Sequence, residues 1–226
     1  MRLILFDIDG TLLRCGKQVA QHFLGALETV FGGYRLPERF SFAGKTDPMI
    51  AVELLRGLGL DEEEIHARLP RARDLYVAAM DRELDRDRML LLPGVVELLE
   101  RLVLRPELTV GLLTGNWQGG ARAKLSRFDL EAYFAFGAFG DDARDRRGLV
   151  PVALRRAETH GGGPFAPEDV LIVGDTVLDV DCARAAGARC LAVASGFTEA
   201  EELEAAGADW VFDDLQEAAR RLDLFA

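Results

Sequence analysis

Five short apolar runs, separated by stretches with helical periodicity, restrict the fold of this sequence more than any other feature. The runs cover residues 3–6, 108–113, 170–173, 191–193 and 210–212. Each has the length of a strand, and continuous apolar character is typical of strands buried on both faces. Helical patterns over residues 95–104, 152–159 and 179–186 lie between them. The alternation predicts an α/β fold with a doubly wound, Rossmann-like parallel sheet.

One connection breaks this alternation. Between residues 17 and 88 the sequence shows only helical patterns, at residues 19–31, 48–58, 62–69 and 72–84, and we expect Pro70 to interrupt the last two. An ordinary connection between strand and helix has roughly 2–6 residues, so this segment is too long to be one. It predicts an inserted α-helical cap domain at residues 15–91, with the α/β core at residues 1–14 and 92–226. Residues 14–16 and 90–94 are the expected hinges.

Composition excludes some partners. The chain has 226 residues and a formal net charge of -11, and only three of its 27 basic residues are lysines. Nucleic acid affinity depends on clustered positive charge, so we expect no nucleic acid partner. The apolar runs are too short for a signal peptide or a membrane span, and the three cysteines show no metal or disulfide spacing. We therefore expect a cytoplasmic protein without membrane contact, and no pattern indicates an oligomeric state.

Polar residues follow three of the predicted strands. The first strand ends in Asp-Ile-Asp-Gly-Thr at residues 7–11, the second in Thr-Gly-Asn at residues 114–116, and the third in Gly-Asp-Thr at residues 174–176, with Asp179 just beyond. In an open α/β sheet the ligand lies at the carboxyl ends of the strands. These groups are therefore expected to converge at one edge.

The spacing of Asp7 and Asp9 favours a metal ion. Two residues apart on an extended chain, both carboxylates lie on one side, where like charges repel unless a cation neutralises them. Mg²⁺ is suited to such a site because it binds one or two carboxylates together with phosphate and water, and Asp175 can supply another oxygen. The pattern predicts metal-assisted phosphoryl transfer.

Each motif also has a simpler interpretation. Residues 7–11 could form a turn or part of a calcium loop, but the twelfth position from Asp7 is Gln18, where an EF-hand requires Glu. Residues 114–116 could be a turn at a strand end. Asp175 and Asp179 could cap the following helix. The combination and order of the motifs favour the functional interpretation.

The segments DIDGTLL, LLTGN and IVGDTVLDVDCA resemble motifs one, two and four of the haloacid dehalogenase superfamily, in the family's order. The helical insertion after the first motif is similar to the branch that includes phosphoglycolate phosphatase and β-phosphoglucomutase. This resemblance implies a Mg²⁺-dependent phosphatase in which Asp7 forms an aspartyl phosphate, and Asp9 acts as general acid and then as general base. It implies a small phosphorylated metabolite as the substrate.

The resemblance also implies roles for other residues. Asp7, the backbone carbonyl of Asp9 and Asp175 would bind the metal, while Asp179 would orient these ligands. Thr114 would hold a phosphoryl oxygen. The remaining substrate-binding candidates near the phosphate are Gly10, Thr11, Gly115 and Asn116.

The third motif departs from the family's pattern, which has a lysine. No lysine follows Lys124, which falls in the helix after the second motif. Because a cation must still offset phosphoryl charge, we expect Arg146 to supply it, with Arg147 as the alternative. Both arginines lie in a run of mixed charge, and such runs also form solvated surfaces.

In the cap, residues 42–47 precede a helix. Asp47 is expected to be its N-cap, with Pro48 at the first helical position. The loop before it, with the candidates Gly44, Lys45 and Thr46, is expected to reach over the phosphate and contact the leaving group.

Other functions remain open. A phosphomutase or a phosphonate hydrolase of the same superfamily would share most of these residues, and the latter would need a Schiff-base lysine such as Lys45. A dehalogenase would normally lack Asp9. A non-catalytic metal-binding protein that uses the acidic cap as an interaction surface is the alternative from another class.

Overall fold

The computed structural model describes residues 1–160 and 163–225. Eight strands are present in these residues: β1 Arg2–Phe6, β2 Leu13–Arg14, β3 Leu90–Leu91, β4 Leu108–Leu113, β5 Gly137–Ala138, β6 Val170–Gly174, β7 Arg189–Val193 and β8 Trp210–Phe212. The α-helices are α1 Lys17–Phe31, α2 Asp47–Arg56, α3 Glu62–Glu83, α4 Val95–Val103, α5 Gln118–Ser126, α6 Leu149–Thr159, α7 Val177–Ala185, α8 Ala200–Ala206 and α9 Leu215–Ala218.

Six of the strands form one parallel sheet with the order β5-β4-β1-β6-β7-β8. The first strand in sequence lies near the centre, so the chain winds outward from it in both directions. The predicted doubly wound parallel sheet is confirmed. Five of its strands coincide with the five apolar runs, while the short edge strand β5 had no recognisable pattern.

Helices cover both faces of this sheet. Successive β1 side chains point to opposite sides, so the strand packs against both helix layers. Ile4 and Phe6 belong to a buried cluster with residues of α4, α5 and α9. Leu3 and Leu5 belong to a second buried cluster with residues of α6, α7 and α8. Burial on both faces explains why residues 3–6 of this strand are all apolar, and it holds the end of β1 in the middle of the sheet edge.

The helical insertion has its own apolar cluster. Helices α1, α2 and α3 pack around side chains that include Phe23, Leu54 and Tyr76. At its base β2 and β3 pair antiparallel, with Arg14 opposite Leu90, so the two predicted hinge segments run side by side. The division into a core at residues 1–14 and 92–226 and a cap at residues 15–91 stays a prediction.

Helix α3 corrects one expectation. It is continuous over 22 residues and contains Pro70, which was expected to interrupt it. Proline removes one hydrogen bond and crowds the preceding turn, at a cost of ~3 kcal/mol. Ile65, Leu69, Ala72 and Tyr76 nevertheless keep a helical spacing across the proline and are buried against the rest of the cap. This packing stabilises the helix on both sides of Pro70.

None of the helices in residues 1–160 and 163–225 combines the length and the apolar character that crossing a membrane requires.

Candidate active site

Asp7 and Asp9 lie at the carboxyl end of β1, where the chain turns sharply. Asp7 is buried, whereas the side chain of Asp9 is about one third exposed, at 35%. Gly10 follows with a φ of 83°, and a Cβ at this position would lie 2.3 Å from a carboxylate oxygen of Asp175. The turn therefore requires glycine both for its backbone conformation and for the close approach of Asp175.

Three buried carboxylates converge at this edge. Asp7, Asp175 and Asp179 each offer an oxygen, and these oxygens all lie within 4.8 Å of one another. Burial raises the pKa of Asp7 to about 6, although Arg146 opposes the shift, and burial together with Asp179 raises the pKa of Asp175 well above its ordinary value. Ionised carboxylates this close are unfavourable without further positive charge. The donor set fits a hard divalent cation that prefers oxygen ligands.

The surrounding groups hold two of these carboxylates in place. Thr11 donates a hydrogen bond of 3.2 Å to Asp175, and the backbone N–H of Phe197 donates another of 3.1 Å. Asp179 accepts hydrogen bonds from the backbone N–H and the hydroxyl of Thr176, at 3.0 and 2.7 Å, and its other oxygen contacts Arg146. Thr176 and Asp179 thereby form a capping box at the start of α7. Asp179 thus has a helix-capping role alongside the predicted orienting role.

The two candidate arginines have different surroundings. Arg146 is 4% exposed, and its Nη2 lies 3.1 Å from Oδ2 of Asp7. Its buried Nε has no hydrogen-bond partner among the described residues. The side chain of Arg147 is exposed and pairs with Asp181 through hydrogen bonds of 2.8 and 2.7 Å. Only Arg146 therefore lies beside the carboxylates.

The second motif reaches Asp9 through a hydrogen-bond network. The side-chain amide of Asn116 donates to the hydroxyl of Thr114 at 2.7 Å and to Oδ2 of Asp9 at 2.8 Å. The ammonium of Lys124 donates to the same Asp9 oxygen at 2.6 Å and to the amide oxygen of Asn116 at 2.5 Å. Burial alone would lower the pKa of Lys124, but the charge of Asp9 raises it. Asn116 and Lys124 therefore hold the carboxylate of Asp9 on the side of the second motif.

Lys124 was predicted to lie in the helix after the second motif, but it was not among the predicted active-site residues. It lies on the buried face of α5 and is 2% exposed. One signal was available: Gly120 and Ala121 precede it at helical spacing, so its neighbours on that face are small and buried. A buried lysine ammonium requires a hydrogen-bonding or oppositely charged partner to offset its loss of hydration.

The cap loop lies against the core at the second motif. A Cβ on Gly115 would lie 2.2 Å from the backbone oxygen of Lys45, so this approach requires glycine. The hydroxyl of Thr46 donates to the backbone oxygen of Arg144 at 2.9 Å, and Arg146 contacts the backbone oxygen of Gly44 at 3.3 Å. The loop is thus held over the sheet edge, while the ammonium of Lys45 pairs with Glu53 at 2.5 Å.

The start of α2 corrects a second expectation. Thr46, not Asp47, is the N-cap, because its hydroxyl accepts a hydrogen bond from the backbone N–H of Met49. Asp47 is instead the first helical residue and is nearly buried. It accepts a 2.8 Å hydrogen bond from the backbone N–H of Trp117, and burial raises its pKa to about 7. Asp47 therefore connects the cap to the helix that follows the second motif.

Comparisons with known proteins agree with this geometry. The family model described as haloacid dehalogenase-like hydrolase matches residues 4–193. Phosphoglycolate phosphatase 1 of Pseudomonas aeruginosa is 28% identical over 225 residues, covering 96% of this chain and 78% of that protein.

Two solved structures share the fold. A crystal structure of a predicted phosphatase from Clostridium acetobutylicum has a TM-score of 0.73 at 20% identity and covers 99% of this chain and 98% of its own. A putative β-phosphoglucomutase from Thermotoga maritima has a TM-score of 0.63 at 22% identity, with complete coverage of both chains.

Proposed function

Since the chain belongs to the haloacid dehalogenase-like hydrolases, we propose that it is a Mg²⁺-dependent phosphatase that hydrolyses a small phosphate monoester through an aspartyl phosphate on Asp7. The sequence-based assignment to this family, in the branch with phosphoglycolate phosphatase and β-phosphoglucomutase relatives, is confirmed. So is the expectation that the chain is an enzyme of the phosphatase class.

One observation carries the proposal: the buried carboxylate of Asp7 lies between Arg146, at 3.1 Å, and the carboxylates of Asp175 and Asp179. A nucleophilic carboxylate needs positive charge around the phosphoryl group it attacks. Arg146 provides this charge beside the carboxylates of Asp7 and Asp179. Thr114, Gly115 and Asn116 of the second motif border the same cavity.

In the proposed mechanism, an oxygen of Asp7 attacks phosphorus while the bond from phosphorus to the leaving oxygen breaks. Asp9 gives its proton to that leaving oxygen, and the alcohol departs. Asp9 then accepts a proton from a water molecule, whose oxygen attacks the phosphorus of the aspartyl phosphate. This step releases inorganic phosphate, frees the carboxylate of Asp7 and leaves Asp9 protonated for the next turnover. Asn116 and Lys124 keep Asp9 oriented through both steps.

The metal would be held by Asp7, the backbone carbonyl of Asp9 and Asp175, with Asp179 orienting these ligands. When bound, Mg²⁺ neutralises charge on the transferring phosphoryl group. The cap loop at residues 44–46 covers the sheet edge, and we propose that it excludes bulk water during the reaction. The net charge of -11 favours a small substrate over a polyanion.

Acetyl phosphate, a small and reactive phosphate compound, tests the proposal. The wild-type protein with Mg²⁺ is expected to release inorganic phosphate, and Asp7→Asn is expected to abolish this release while keeping the thermal unfolding transition. Mass spectrometry of the wild type after brief exposure should find phosphate on Asp7. Activity near the wild-type level in Asp7→Asn, or phosphate on another residue, would refute the mechanism.

A further inference from the structure

A cavity of about 640 Å³ extends from the catalytic carboxylates into the space between the cap and the core. Asp7, Asp9, Thr114 and Arg146 border it at the sheet edge, where a phosphoryl group would lie. Cavities of roughly 300–1,000 Å³ enclose ligands of many atoms. The space beyond the phosphoryl position therefore exceeds what a compact leaving group can fill.

The walls beyond the carboxylates are mostly apolar and aromatic. Helix α1 contributes Val19 and Phe23, the segment that precedes α2 contributes Phe40 and Phe42, and the turn after β7 contributes Phe197. The rings of Phe40 and Phe42 lie edge to face, with centroids 4.9 Å apart. Aromatic walls stabilise a ligand through apolar contact and ring packing.

Phe197 is exposed yet firmly positioned. It is 66% exposed and borders the cavity. The turn before it is held by Ser195, whose hydroxyl donates to the backbone oxygen of Gly10 at 2.9 Å, and by Arg14, which donates to the backbone oxygen of Gly196 at 2.8 Å. These contacts hold the backbone of the turn that carries Phe197 beside the cavity.

The cations inside the cavity already have acidic partners. Lys45 pairs with Glu53 and lies 4.6 Å from the centre of the Phe40 ring, and Lys124 pairs with Asp9. The remaining basic side chains among the described lining residues are Arg146, beside Asp7, and Arg14 and Lys17, which are exposed. A second anionic group in the cavity would therefore meet aromatic rings, cations that already have acidic partners, or the two exposed cations Arg14 and Lys17.

We infer that the substrate is a phosphate monoester whose leaving group carries an apolar, aromatic-sized body that occupies this cavity and contacts Phe42 and Phe197. The inference rests on the proposed phosphatase function. A compact anionic leaving group such as glycolate would leave most of this cavity unfilled, and its carboxylate would lie among aromatic side chains unless it reached the exposed Arg14 or Lys17.

Three substrates test this inference: 2-phenylethyl phosphate, ethyl phosphate and 2-phosphoglycolate. All three are esters of primary alcohols, so a difference in rate reports recognition of the leaving group rather than its chemical reactivity. The expected kcat/KM for 2-phenylethyl phosphate exceeds that for each of the other two by roughly tenfold to hundredfold, the discrimination that apolar pockets achieve. Acetyl phosphate serves as the reference for the proposed function. Acetyl phosphate turnover without a preference for the phenylethyl ester overturns the inference alone, whereas no turnover of any of these substrates overturns the phosphatase function.

Two variants test the contacts. Phe197→Ala and Phe42→Ala should each lower the phenylethyl-to-ethyl ratio of kcat/KM by roughly tenfold. Both side chains are at least partly exposed, and Phe197→Ala keeps the backbone N–H that binds Asp175. Leu104→Ala, which removes an 80% exposed apolar side chain outside the cavity lining, should keep the wild-type ratio. An unchanged ratio in both phenylalanine variants, or a preference for 2-phosphoglycolate in the wild type, contradicts the inference.

Discussion

The ammonium of Lys124 lies 2.6 Å from Oδ2 of Asp9, and both groups bind the same side-chain amide, that of Asn116. The catalytic acid and base of the proposed mechanism is thus oriented from the helix that follows the second motif. The contact joins a buried cation to a partly exposed carboxylate, so its loss would free the carboxylate to rotate.

Lys124→Met should therefore lower kcat by roughly tenfold to hundredfold, less than the full ~10²–10⁴-fold contribution of general acid and base catalysis because Asp9 itself remains, and change KM much less. It should also prolong the lifetime of the phosphorylated enzyme, because Asp9 activates water in the second step. Steady-state kinetics and mass spectrometry provide the two measurements. Arg122→Met, an exposed change on the same helix, is the control. Equal kinetics for the two variants would exclude the positioning role.

Arg146→Ala should lower kcat by roughly two to three orders of magnitude, as expected for the loss of a preorganised electrostatic donor. Arg147→Ala is the matched control, since its side chain faces solvent and pairs with Asp181. Arg146→Lys should retain part of the activity because the charge remains while the planar guanidinium is lost. Kinetics of the three variants decide the assignment, and a larger loss in Arg147→Ala would reverse it.

Chelation by EDTA should remove activity, and Mg²⁺ but not Ca²⁺ should restore it, because Ca²⁺ favours a larger oxygen shell. Mg²⁺ should also raise the thermal unfolding temperature of the wild type, since it binds the folded carboxylate cluster. Titration calorimetry should show a greater loss of Mg²⁺ affinity for Asp175→Asn than for Asp179→Asn. Equal affinities in the two variants would contradict the division between a ligand and an orienting residue.

Asp47→Asn should stabilise the protein increasingly as pH rises. The pKa of Asp47 is about 7 in the folded protein against an ordinary value of 3.8, and burial is the main cause. Between these values the folded state binds the proton more tightly than the unfolded state, so the free energy of unfolding of the wild type falls with rising pH. An asparagine side chain does not titrate, so the free energy of unfolding of Asp47→Asn does not fall with pH for this reason. Its amide oxygen can still accept the hydrogen bond from Trp117.

Urea unfolding of both proteins at pH 5 and pH 8.5 measures this effect. The stability difference should favour the variant by on the order of a few kcal/mol more at the higher pH. The comparison isolates Asp47, because the other buried carboxylates are present in both proteins. A difference that is independent of pH would show that Asp47 is already ionised in the folded state at pH 5.

Local sequence patterns were enough to predict the parallel sheet and the edge of the sheet that carries the candidate site. A strand that is buried on both faces is a continuous apolar run, so five strands could be predicted from the pattern of residues along the chain. The polar residues that follow three of these strands mark the carboxyl edge of the sheet. Strand β5 was not predicted because its two residues are too few to show the apolar run that is typical of a buried strand.

Tertiary structure decided what depends on neighbours distant in the chain. Pro70 is tolerated in α3 because cap packing outweighs the local cost, and Arg146 rather than Arg147 lies beside Asp7 because the turn before α6 directs one side chain inward. Lys124 and Asp47 are buried only because the cap, the second motif and α5 meet. A charged group enters such an interior where specific partners compensate its desolvation, and those partners are brought together by the fold rather than by sequence spacing.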